Sequence, residues 1–157
     1  MCYLIIIPIV FINLVSFTFL LFRNREYINT GIFDLSILSF QKIDKIISNP
    51  DILIYNLNQD NSILNLSYFE NKTIMYSTNF FYLYTITFKI KIVKGLNMVI
   101  WEKKSKFVQS TITFLFDQSN KITYIMNINV PFILNKNIIE REKNFINEYF
   151  NFITKHY

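Results

Sequence analysis

From residue 63 onward, apolar and polar residues alternate with a period of two. The pattern is plainest at 82–93: Tyr82, Tyr84, Ile86, Phe88, Ile90 and Ile92 share one parity, while Thr85, Thr87, Lys89 and Lys91 share the other. Such alternation predicts a strand with one buried and one wet face. Lys94-Gly95-Leu96-Asn97 reads as the turn, and Val99, Trp101 and Phe107 continue the apolar side of a return strand. STITFLFD (110–117) and KITYIMNINV (121–130) alternate in the same way. SILNLSYF and KTIMYST flank a Glu70-Asn71 turn and predict a short hairpin. The expected sheet is antiparallel, with five or six strands.

On either side of this region the period lengthens. Leu38 or Ile37, then Phe40, Ile43, Ile46 and Ile47, recur at helical steps, with Gln41, Lys42, Asp44 and Lys45 opposite. This predicts an amphipathic helix with Asp34 or Ser36 as N-cap and Asn49-Pro50 as its stop. Residues 51–62 fit a short strand or a further helical turn. Pro131 ends the sheet. Asn137–Tyr157 predicts a closing amphipathic helix, with Ile138, Ile139, Phe145, Ile146, Tyr149, Phe152 and Ile153 as its apolar stripe. Glu140, Arg141 and Lys143 fall outside the stripe, Glu142 is read as solvent-side, and Asn137 with Glu140 resembles a capping box. Asn24–Gly31 reads as a polar connector.

The first segment is different again. Tyr3–Phe22 is twenty residues without a charge, the length that crosses a bilayer core of about 30 Å. A cleaved signal peptide fits less well, since no basic residue precedes the run and no small-x-small site follows it. The expectation is a transmembrane anchor over residues 1–24 and a soluble α+β domain over 25–157, built as an amphipathic helix, the sheet and a C-terminal amphipathic helix. Arg23 and Arg25 would place that domain on the cytoplasmic or matrix side.

Composition narrows the chemistry. The 157 residues include 28 Ile, 19 Asn, 17 Phe and 13 Lys, with two Gly and no Ala. The abundant residues have AT-rich codons, which points to an AT-rich genome, mitochondrial or endosymbiotic for example. The single cysteine excludes an internal disulfide or a cysteine-based metal site. The single histidine, His156, is penultimate, the acids are scattered, and Gly31 and Gly95 build no phosphate loop. These features predict no catalytic, cofactor-binding or metal-binding residues, and no enzyme. The net charge of +5 gathers in one place: Lys89, Lys91, Lys103, Lys104 and Lys106 would meet across the central hairpin. They are the candidate surface for lipid headgroups or an acidic partner. No aromatic residues interleave them, which argues against nucleic acid.

The order of elements and the stretch FKIKIVKGLNMVIWEKKSKF resemble the mitochondrial inner-membrane family that includes cytochrome oxidase assembly factor one and the twenty-one-kilodalton presequence translocase subunit. That resemblance implies a non-enzymatic accessory subunit or assembly factor of a respiratory-chain complex, in the mitochondrial inner membrane, with membrane lipid and other subunits of a membrane complex as partners. The alternatives are a scaffold or secretion component of a bacterial inner membrane, and a membrane-tethered ribosome or nucleic-acid binding module.

Overall fold

The computed structural model describes residues 14–35, 38–60, 63–69, 73–80, 84–117 and 121–157. Seven antiparallel strands form one sheet: β1 (Asn24–Asp34), β2 (Ile63–Phe69), β3 (Thr73–Phe80), β4 (Tyr84–Gly95), β5 (Met98–Lys104), β6 (Gln109–Phe116) and β7 (Lys121–Pro131). Their order is β1-β7-β6-β5-β4-β3-β2. Strands β2 to β7 form a meander in which each pairs with the next. The first strand instead crosses to the far edge and pairs with β7, from Asn24↔Pro131 to Asp34↔Lys121. Between β1 and β2 lie two helices, α1 (Phe40–Ile47) and α2 (Pro50–Gln59), and a long helix, α3 (Asn135–His156), closes the chain. The helices cover one face of the sheet, and the core lies between the layers.

Local chemistry explains these elements. Asn49 does not simply stop a helix. Its side chain accepts from the Asp51 amide at 2.9 Å and starts α2, with Pro50 in the first turn, where its missing N–H costs nothing. Leu53 and Leu57, four residues apart, are buried. The α1 N-cap is Ser39, Asp34 belongs to β1, and Ser36 lies outside the described residues. In α3 the helix begins at Asn135 behind Leu134, so Asn137 stands inside the helix and is not its cap.

Three expectations need correction. The sheet has seven strands, not five or six. The extra strand is β1: Asn24–Gly31, read as a connector because polar residues dominate it, is held by its register with β7. The third concerns the transmembrane helix of the expected architecture, which the described residues do not show. Residues 3–13 of the expected span lie outside the described residues. Residues 14–22 are helical, and β1 follows from Asn24. Among the described residues no helix is long and apolar enough to cross a membrane.

Candidate functional site

The inner face of the sheet is built in rows. One row runs Ile74–Ile90–Lys103–Ser110–Ile128–Tyr27 across β3, β4, β5, β6, β7 and β1. Lys103 therefore sits on the buried parity of β5, with Val99 and Trp101, and is only 7% exposed. From the opposite layer Glu142 of α3, also buried, forms an ion pair with it. The Lys103 ammonium lies 4.4 Å from the Phe88 ring centroid and 5.2 Å from that of Tyr76. Burial pulls the ammonium pKa down, but Glu142 and Tyr76 together outweigh it, and the group is held above its ordinary value. Burial pushes the Tyr76 hydroxyl up, opposed by the nearby Lys103 charge. Lys103 is thus a fixed cation, not a neutral amine.

The neighbours of Glu142 clamp the helix further. Arg141 donates to Thr78 Oγ1 at 2.8 Å and to Asp60 Oδ2 at 3.1 Å. Lys143 lies 5.2 Å from the Tyr27 ring centroid, and a hydrogen bond to the Tyr27 hydroxyl raises its pKa. Three consecutive residues therefore tie α3 to β3 and the end of α2, to β5, and to β1.

Toward the C-terminal half of α3 the interior is filled with aromatic rings. Trp101 meets Tyr149 edge-on at 4.8 Å and Phe114 at 4.7 Å. Phe150 stacks on Phe33 at 3.8 Å. Trp101 Nε1 donates to the Ile47 carbonyl at 3.1 Å and the Tyr149 hydroxyl to the Ile46 carbonyl at 3.3 Å. These are among the last carbonyls of α1, which have no partner within the helix. One aromatic pair thus caps α1 and locks it to β5 and α3. A cavity of about 20 Å³ lined by Asp34, Leu35, Leu38, Thr154 and Tyr157 holds about one water. Larger depressions, such as the groove of about 540 Å³ beside Tyr55, Phe152 and His156, lie on the surface.

Of the five lysines read as one surface, the structure separates Lys103 from the rest. Lys89, Lys91, Lys104 and Lys106 are exposed. Lys89 faces Lys104 directly across β4 and β5, and Lys91 faces Glu102. Lys106, in the bend after β5, lies 5.4 Å from the Phe107 ring centroid. The sequence reading also missed Glu142. Both signals were present: Lys103 follows Val99 and Trp101 at steps of two, and Glu142 lies midway between Ile138 and Ile146 on the apolar stripe. Among the described residues no group of His, Cys, Asp and Glu could hold a metal.

No family model matches this chain, and no curated protein does. Solved structures match by shape. An uncharacterised protein of Rhizobium leguminosarum superposes with a TM-score of 0.61 at 9% identity, over 85% of this chain and 97% of that one. Norcoclaurine synthase from Thalictrum flavum, in complex with dopamine and hydroxybenzaldehyde, gives 0.56 at 9% identity, over 85% and 90%. A START superfamily protein of Mycobacterium smegmatis gives 0.52 at 9%, over 83% and 97%. At these identities the likeness concerns the fold alone. It corrects the expected architecture of a membrane anchor followed by a smaller sheet, and with it the single-pass accessory subunit of a respiratory complex and the inner-membrane location, which rested on that anchor. The described chain has the START/Bet v1-like fold.

Proposed function

We propose that this chain is a non-enzymatic binding domain that works from the outer face of its sheet, where Lys89, Lys91 and Lys104, with Lys106 in the adjoining bend, receive an acidic protein surface. One observation carries the reading. Lys89 and Lys104 stand directly opposite each other on neighbouring strands, and neither forms an ion pair with any described residue. Like charges in that position are destabilising, so an anionic partner would relieve an unfavourable arrangement. Met75, Glu102 and Gln109 flank the lysines on the same face. They offer no aromatic platform for bases, and Glu102 supplies a polar contact that a protein can match. The filled interior and the fixed charge of Lys103 support the non-enzymatic part of the proposal.

The test is binding of a fluorescent polyglutamate peptide as salt is raised. Wild type should bind at low salt and lose affinity as screening increases. Lys89→Glu with Lys104→Glu should weaken binding about tenfold or more, which is about 1.4 kcal/mol. Equal binding by the double variant, or tighter binding to vesicles of anionic lipid than to the peptide, would refute the proposal.

A second reading has its own observation. Glu142 Oε2 and Ser110 Oγ are buried without a hydrogen-bond partner among the described residues, and Ser110 is the cross-strand neighbour of Lys103. Orphaned buried acceptors call for a donor, and a fold neighbour is an enzyme seen with two small aromatic molecules. On this reading a small hydroxyl or amine ligand enters beside Lys103. Titration with dopamine decides it: saturable binding lost in Ser110→Ala supports it, and no binding removes it.

A further inference from the structure

The two edges of the sheet are not alike. β1 carries Arg25, Glu26 and Asp34. β2 reads ILNLSYF, with neither charge nor proline. Charges, prolines and bulges are the usual means by which an edge strand avoids pairing with another chain. The bulge between Ile63 and Asn65 is the one such device on β2. It sits at the start of the strand and leaves Asn65–Phe69 in regular register with β3. Leu64, Tyr68 and Phe69 are 52%, 46% and 50% exposed, a high share of apolar side chains for a strand of seven residues.

The strand also reads alike in both directions. Turned about Leu66, it sets Asn65 against Ser67 and Leu66 against itself within the regular segment, and Phe69 and Tyr68 against Ile63 and Leu64 at the bulged start of the other copy. Apolar meets apolar, and an amide meets a hydroxyl. We propose that β2 pairs antiparallel with β2 of a second copy of this chain, about a two-fold axis at Leu66, joining two seven-stranded sheets into one. Such an interface is isologous, so self-complementarity of a single strand suffices. Aliphatic–aromatic and polar cross-strand pairs are each favourable. Each chain carries a net charge of +5, yet no charge lies on the pairing strand. The nearest of the outer-face lysines, Lys89 and Lys91, lie two strands away on β4, roughly 10 Å from the seam, so the seam itself is free of like-charge repulsion.

Sedimentation velocity on the full chain tests this, with circular dichroism as the check on folding. Wild type should sediment as a dimer that dissociates on dilution. Asn65 and Ser67 are exposed and lie off the buried parity, so changing them spares the core. Asn65→Lys with Ser67→Lys sets lysine against lysine twice and should raise the dissociation constant about tenfold or more. Asn65→Lys with Ser67→Glu sets lysine against glutamate twice and should restore the dimer. A monomeric wild type would overturn the proposal, as would a dimer unaffected by the two lysines. Failure of the Lys/Glu variant to recover would overturn the register.

Discussion

At the residue scale, the Lys103–Glu142 pair shows how a charge can be buried without being reactive. An ammonium with a carboxylate partner and two aromatic rings around it keeps its proton. Removing one partner leaves the other charged and buried, which costs about 3–5 kcal/mol. Lys103→Met should therefore destabilise the domain by about that amount in urea unfolding, and Lys103→Met with Glu142→Leu should recover most of it. The sign of the pH dependence follows from the raised pKa of Lys103. Its contribution is complete below the unfolded value, about 10.4, and is lost as pH rises through the higher folded value. Stability measured from neutral to strongly alkaline pH should show this loss in wild type and not in Lys103→Met. Gly31 is a residue-scale constraint of another kind. A Cβ there would lie 2.3 Å from Cε1 of Tyr124, whose hydroxyl accepts from Asn29 at 3.1 Å. Gly31→Ala should cost about 1–3 kcal/mol through displacement of that ring.

At the scale of elements, the meander was legible and the strand that precedes it, β1, was not. Strands β4 to β7 expose alternate residues to water, so the period of two is written into them. The strand β1 carries Asn24, Arg25, Glu26, Asn29 and Thr30, and its partner is about a hundred residues away. Nothing local distinguishes it from a loop, and only register with β7 makes it a strand. The uncharged segment before it satisfied the length criterion for a membrane span, and residues 3–13 of that segment lie outside the described residues. The stripe of α3 was read correctly except at Glu142 and Phe150, both of which are buried; at Glu142 residue type was weighed above position. One member of the lysine cluster was misplaced for the same reason: parity separates the buried Lys103 from the exposed Lys104, whereas composition groups them. The hairpin between β4 and β5 offers a check. Asn97 adopts a positive φ of 54°, a conformation that asparagine tolerates and a β-branched residue does not. Asn97→Val should destabilise by about 1–2 kcal/mol, and Asn97→Gly should not, as thermal melts would show.

At the scale of the whole molecule, two layers enclose a core that is closed by aromatic packing at one end and by a charged clamp at the other. What remains available to a partner is the surface: the lysine-bearing outer face and the neutral edge of β2. The non-enzymatic reading depends on the interior being a packed core and not a ligand chamber. Trp101 is the only tryptophan in the chain and stands at the centre of that core, so its fluorescence reports the interior without labelling. Trp101→Ala should cost about 3–5 kcal/mol and leave an apolar cavity of the kind that admits small aromatic molecules. The most direct measurement is titration of wild-type Trp101 emission with toluene, with toluene NMR signals followed for both proteins. The account predicts no saturable change in wild type and binding to Trp101→Ala once its fold is verified. Saturable quenching or shift of the wild-type emission would show an interior that opens to ligands, and would contradict the account.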